Sequence, residues 1–530
     1  MTTDATKALA AELHAAEPSS AATSEMPTDR FAFRNDHGNA PLSAEDQHLH
    51  DLRGPVISIA DPQDTTIAKT DVEQPLNDLF TALKGAHESS ASPELVDLCW
   101  HDLTRAANTI VRDDELSSDT ACFELARDIL LATAVHRLPE TRTDPASFDS
   151  AQSWSVPAPR AESAGGLLCV ASREVPVSDE VLGAINVLSA DPSPEVRFEI
   201  AKYLFLLRRS ADAMWHLIDE MKDDISTAVL SNLASALSRA ASPENTERVA
   251  TAIRDLLEHG HSLAVSPGTE QLRNNCMLAL AALYIWHDSE MAREVVLERV
   301  SSSTESAPED FAQMSRITRD AYAIGDGTSD GHSEAGIRAR AIEFSRLMLE
   351  SAISALDVHL SKVQDDAGDA LKTRIRATAG IINGVASDLF IVSGAHEADK
   401  GREPEISPAQ LKRLYEETAP LLDLLSEAPI AGVTHHVIET LSVCIPFNPK
   451  DVFQRFAHTV ELGVQGDYQY DPLGAGLVVK VLKQYLSEHR SIFQTDSEAQ
   501  EALIRVLDIF VDVGWPEANR LVFGLDDIFR

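Results

Sequence analysis

Apolar positions along this chain recur at the spacing of a helix face, and the stretch from Asp191 to Leu207 carries the pattern most fully. A proline-marked turn, Asp-Pro-Ser-Pro, runs into Val196, Ile200, Tyr203, Leu204 and Leu207, which fall on one side of a helix. Upstream lies a second copy. Pro157, Arg160, Glu162, Ala164 and Leu167 correspond to Pro194, Arg197, Glu199, Ala201 and Leu204, each pair 37 positions apart. A third is expected at Gln271 to Trp286, where Leu272, Arg273, Cys276 and Leu280 lie 76 positions after Val196, Arg197, Ile200 and Leu204. A short helix with one apolar stripe cannot bury that stripe alone, so the pattern predicts helix pairs stacked on their neighbours.

Residues 1–75 carry little periodicity and are expected to form a flexible or loosely docked arm. Within it, Leu9 and Leu13 suggest a short helix, and Val56-Ile57-Ser58-Ile59 a short strand. Helices are predicted over 93–111, with Leu95, Leu98, Cys99 and Leu103 on one face, and over 118–135, with Cys122, Leu125 and Ile129. Pro139 to Pro159 reads as a break in order before the first repeat. After the central pair, helices follow at 211–222, 225–240 and 247–259, joined by short polar loops. Ser301 to Pro308 and Gly325 to Gly336 interrupt the array; long helices over 335–363 and 370–393 then lead to a charged linker at His396 to Pro408. Further helices are expected at 410–425, 433–443, 452–462 and 477–489. Leu503, Val506, Leu507, Phe510 and Val511 mark one more, which Gly514 caps before Trp515-Pro516 starts the last, with Leu521, Leu525 and Ile528 on its buried side. The organisation expected is an arm (1–75), an N-terminal half of the array (76–300) and a C-terminal half (301–530) with mobile loops near 325–336 and 396–408.

Composition sharpens this picture. Of 530 residues, 44% are hydrophobic but only 5% aromatic, a balance that suits close-packed Ala- and Leu-rich helices better than a β-sandwich. Charge is strongly acidic, 45 basic against 84 acidic residues for a net −39, which argues against nucleic acid as a partner. The nearest basic cluster read from the sequence is Lys372, Arg374 and Arg376. Five scattered cysteines (Cys99, Cys122, Cys169, Cys276, Cys444) with no C-x-x-C pair point to a reducing compartment. The N-terminus lacks the basic start and apolar run of a signal peptide, and no run of ~18 apolar residues occurs, so a cytoplasmic protein that does not span a membrane is expected.

Catalytic constellations are represented only by decoys. There is no P-loop, no G-x-S-x-G and no H-E-x-x-H. Asp326-Gly-Thr-Ser-Asp330-Gly331 opens like a calcium loop, but Ile337 stands where a bidentate glutamate belongs. His435, His436 and Glu439 share a helix face without a further ligand in sequence, and the Glu-x-Lys of Asp219-Glu220-Met221-Lys222 lies in a helix rather than on the strand that nuclease chemistry uses. Cys99 and His101 are two apart on a helix and point to different faces. Arg160 and Arg197 recur at one place in the repeat. Their structural role would be to pair with an acidic residue or with helix C-terminal carbonyls in the next repeat; the alternative is ligand contact. Trp100, Trp154, Trp215, Trp286 and Trp515 read as packing residues, or as partner anchors where exposed.

Asp191, Pro194, Val196, Arg197, Ala201 and Leu204 resemble the Asp-x-x-Pro-x-Val-Arg-x-x-x-Ala-x-x-Leu core of HEAT repeats. Ile445-Pro-Phe-Asn-Pro-Lys450, Tyr468-Gln-Tyr-Asp-Pro472, Gly514-Trp-Pro-Glu-Ala518 and Leu525-Asp-Asp-Ile-Phe-Arg530 look like the closing helical region of large bacterial ATP-binding proteins, the signal-transducing NTPases of antiphage defence. That resemblance covers about residues 150–530. The NTPase portion has no counterpart here, so ATP hydrolysis is not expected. The combined reading is an all-α, HEAT/armadillo-like α-solenoid of stacked antiparallel helix pairs behind a flexible arm. Its expected role is a non-catalytic protein-binding scaffold or recognition subunit of a bacterial defence or signalling system. No catalytic, cofactor-binding or metal-ligating residue is assigned, and oligomeric state is left open. The alternative is a helical-repeat nucleic-acid handler or enzyme whose site is not visible in sequence.

Overall fold

Helix starts follow from the residues that precede them. Ser178, Ser226 and Ser289 each accept a hydrogen bond from the backbone N–H three residues on, and Ser407 forms a reciprocal capping box with Gln410. Pro93, Pro159, Pro194, Pro408, Pro449 and Pro472 occupy the first turns of their helices, where a missing N–H costs nothing. The computed structural model describes residues 42–60, 72–86, 91–113, 118, 120–141, 145–153, 156–311, 314–325, 328–329, 332–363, 368–403 and 405–523. Among them the fold is all-α apart from a two-residue antiparallel ladder, Thr328–Ser329 with His332–Ser333.

Two compact units emerge, one with its described residues within 23–241 and 251–279, the other within 242–250 and 280–530. In the first, alternate helices make two layers. Ala44–Ala60, Pro93–Arg112, Pro159–Arg173, Pro194–Tyr203 and Thr227–Ala240 pack in a row, each on the next. Glu73–Gly85, Ala121–Thr133, Asp179–Ser189 and Ala211–Met221 cover one side of that row. Leu103, Leu130, Leu167, Ile185, Val196, Ile200, Leu230 and Leu233, contributed by both layers, are fully buried. Each such side chain contributes ~1.5–3 kcal/mol of burial.

The second unit repeats the plan. One row runs Glu290–Ser303, Glu334–Ser361, Pro408–Ser426, Pro449–Gly463 and Ser497–Asp512. The other runs Ser315–Ala323, Asp369–Val392, Ala431–Cys444 and Pro472–Glu488. Among the described residues only Asp369–Val392 is long and apolar enough to cross a membrane. Its Ile375, Ile381, Ile382, Val385 and Leu389 are instead buried in the unit.

Several sequence expectations are corrected. Val56–Ile59 is not a strand but the last turn of Ala44–Ala60, which buries Leu49, Val56 and Ile59 on Pro93–Arg112 and anchors Arg53 on Asp102 at 2.6 Å. Leu9 and Leu13 lie outside the described residues. The expected break at 139–159 contains a short helix, Pro145–Ala151, with Phe148 edge-on to Phe198 at 5.4 Å. The first repeat helix begins at Pro159, where the expected break ends. After Pro194–Tyr203 the row continues with the expected helix Thr227–Ala240, and residues 271–286 lie within a helix, Pro267–His287. Helix Glu290–Ser303 runs into the stretch read as a loop from Ser301, and Ala395–Asp399 is a short helix inside the expected linker. Asp326, Gly327, Asp330 and Gly331 of the expected loop, Trp154, and Leu525 to Arg530 lie outside the described residues.

Candidate functional site

Arg160 and Arg197 do meet acids of the following repeat. Arg160 donates through Nε and Nη2 to both Asp191 oxygens at 2.8 and 3.2 Å, and to the carbonyls of His136 and Pro139 at 2.5 and 2.8 Å. One repeat later, Arg197 grips Asp224 at 2.6 and 3.0 Å and donates to the Asp191 carbonyl at 2.6 Å. Each acid also accepts the backbone N–H two residues on, from Ser193 and Ser226, both at 2.8 Å. The planar guanidinium thus ties a loop of its own repeat to the turn that starts the next helix. This is a register device, and both arginines are committed to it.

A further acid closes the same row. Asp149 accepts hydrogen bonds from Ser226 Oγ at 2.5 Å, Thr227 N–H at 3.0 Å, Thr227 Oγ1 at 2.9 Å and Ala228 N–H at 3.3 Å. It therefore caps the start of Thr227–Ala240 from 77 or more residues away in sequence.

Four helices of this row end at one edge, each with a basic residue in its last turn: Arg112, Arg173, Lys202 and Arg239. Contacts chain these ends together. Arg173 donates to the carbonyls of Val111 and Asp113, both at 3.0 Å. The Arg112 guanidinium lies 4.6 Å over the Tyr203 ring, and Lys202 Nζ 4.9 Å from the same ring. Arg239 stacks 4.1 Å over Phe205 and donates to the Lys202 carbonyl at 2.9 Å. The 3-10 turn Leu204–Arg209 adds Arg208 and Arg209, both exposed. The last-turn basic residues were readable in sequence, but only the stack reveals that they share an edge. Acids beside them are Glu162, Asp113 and Glu199, the last buried against Lys202 at 3.0 Å; burial pushes its carboxyl up while the ammonium pulls the other way.

Elsewhere the expected chemistry does not assemble. His435 Nε2 and His436 Nδ1 both face the Glu439 carboxylate, at 3.5 and 3.4 Å, so the trio is an ion-paired cluster. Burial would raise the Glu439 carboxyl, but the two imidazoles hold it down to about 2. Phe390 stacks on His436 at 4.6 Å, and Tyr468 closes the other side of His435. Among the described residues no group of three or more ligating side chains converges on a metal position. Burial pushes the Cys99 thiol up to about 12 and lowers His101 to about 3, while His101 Nδ1 accepts the Ala158 N–H at 3.3 Å. That pair is neutral and cannot supply a thiolate. Asp219 and Lys222 form an exposed ion pair at 3.1 Å, and Ile337 is a buried packing residue. Trp100 and Trp215 are buried, Trp100 edge-on to Phe80 at 6.0 Å, and Trp515 packs on Phe510 at 5.1 Å.

No family model and no curated protein matches the chain. Among solved structures, a circular tandem repeat protein with novel repeat topology and enhanced subunit contact surfaces is similar at 13% identity. Its TM-score is 0.32, over 89% of this chain and 98% of that one. A homology model of the full-length AP-3 complex in an intermediate open conformation gives 13% identity and a TM-score of 0.24, over 97% of this chain and 87% of that one.

Proposed function

We propose that this chain is a non-catalytic protein-binding scaffold or recognition subunit. The observation that supports the reading is the register-locked row of helices in residues 44–240. The ends of four successive helices come together at one edge, and at their opposite ends Arg160–Asp191 and Arg197–Asp224 fix the register of the row. A stacked array of this kind offers an extended surface that a partner grips along its length. Affinity capture of the tagged full chain from its native host, with stringent washing and quantitative mass spectrometry against a tag-only control, tests it. Reproducible enrichment of one protein is expected; absence of any enriched protein refutes the reading. The finer role, recognition within a bacterial defence or signalling system, rests on the sequence resemblance at Ile445–Lys450, Tyr468–Pro472 and Gly514–Ala518. It predicts that the captured partner is itself an NTPase or is bound to one.

A further inference from the structure

The C-terminal edge of the first unit is a basic strip on a chain whose net charge is −39. Among the described residues, Arg173, Arg208, Arg209 and Arg239 form no ion pair with a carboxylate, while Glu199 pairs with Lys202 and its charge also acts on Arg112. We propose that this edge binds an acidic, extended peptide segment of a partner protein. The proposal rests on the protein-binding reading above and names the chemistry of what is bound.

Size, charge and aromatic geometry favour a peptide over a nucleic acid. Neighbouring helices in a row lie ~8–10 Å apart, so four helix ends span about 24–30 Å. An extended chain at ~3.4 Å per residue covers that in about eight residues. A local acidic segment meets only the basic strip. A long polyanion would also face the acidic remainder of the chain, whose repulsion reaches a Debye length of ~8 Å at physiological salt. Single-stranded nucleic acid binds on aromatic rings with free faces. Here Tyr203 is already engaged by Arg112 and Lys202, and Phe205 by Arg239. These cation–π contacts hold the cations in place and so lower the ordering cost of meeting a carboxylate.

The test is fluorescence anisotropy with the full chain and three labelled probes of equal length: polyglutamate, polyserine and oligodeoxythymidine. The edge variant is Arg208→Glu/Arg209→Glu/Arg239→Glu. The control is Lys372→Glu/Arg374→Glu/Arg376→Glu, with the same change in net charge on helix Asp369–Val392. A milder Arg208→Gln/Arg209→Gln/Arg239→Gln variant serves if charge reversal disturbs folding by circular dichroism. Polyglutamate should bind saturably and weaken about tenfold or more between about 50 and about 300 mM salt. The edge variant should lose about tenfold or more in affinity, and the control should stay within about twofold. No polyglutamate binding, equal loss in edge and control variants, or tighter binding of oligodeoxythymidine would overturn the proposal, the last making the edge a nucleic-acid surface. Failure of the two readings is separable. An edge variant that still captures the same partner sinks this inference and leaves the scaffold; polyglutamate binding without any captured protein does the reverse.

Discussion

Replacing Arg197 by alanine removes a guanidinium that satisfies three oxygens at once, and the consequence follows from the geometry. Asp224 would keep one donor, the Ser226 N–H at 2.8 Å, and the Asp191 carbonyl would lose its Arg197 donor. The side chains are 13% and 5% exposed, so water does little to screen the orphaned carboxylate. Breaking a buried pair from one side costs about 3–5 kcal/mol, and the surviving Ser226 contact places this case near the lower end, about 3 kcal/mol. Arg197→Lys keeps the charge but cannot span both Asp224 oxygens and the carbonyl, so about 1–2 kcal/mol is expected. A stacked array need not unfold in one step, so local opening is the better readout than a global midpoint. Amide exchange in Pro194–Tyr203 and Thr227–Ala240 should accelerate about a hundredfold in Arg197→Ala, with far smaller change in the second unit. An Arg197→Ala/Asp224→Ala cycle should give a coupling of about 2 kcal/mol or more. A loss under about 0.5 kcal/mol, or no coupling, would refute the register reading.

The remaining predictions concern other parts of the chain. Burial alone would lower His435, but the Glu439 hydrogen bond and charge, with Asp471 and Asp399, raise it above 6.5; its stabilisation is therefore complete below 6.5 and lost as pH rises through the raised value. Glu439, lowered from 4.5 to about 2, contributes above 4.5 and loses its contribution as pH falls towards 2. The second unit should thus gain most from this cluster between those limits. An NMR titration placing His435 below 6.5, or Glu439→Gln leaving it unmoved, contradicts this. Gly474→Ala would drive a Cβ to 2.6 Å from the buried Tyr468 ring, an overlap expected to cost about 1–3 kcal/mol in thermal or urea unfolding. Wild-type stability in that variant would mean the ring can step aside. All five cysteines are buried free thiols, and burial raises each of them. A thiol reagent should find none reactive in the native protein and all five after denaturation.

Fold class was legible because apolar spacing and proline starts are local signals, and they placed most helices within a turn; the serine caps at Ser178, Ser226, Ser289 and Ser407 emerged only with the structure. Legible too was the recurrence of Arg160 and Arg197, because both copies carry the same Pro, Arg, Glu, Ala and Leu. Contacts that depend on sequence-distant loops were not. Asp149 sits in a stretch that reads as a break, and only folding brings it to the start of Thr227–Ala240. Val56–Ile59 reads as β-branched strand, yet packing of one helix face on Pro93–Arg112 overrides local propensity. The basic edge escaped notice for a related reason: its cations are dispersed over 128 positions from Arg112 to Arg239 and converge only once the helices stack.

The two-rung ladder also gives the array a direction. Each arginine borrows its acid from the segment downstream, so a copy of residues 160–196 inserted in tandem would bring both halves of a new rung with it. The third copy of the turn, Asp224-Ile225-Ser226, keeps the acid and the serine, but Leu230 stands where the series would put the next arginine. The series of arginine ties therefore ends at Asp224, and the next helix, Thr227–Ala240, is held through its buried Leu230 instead of a further guanidinium.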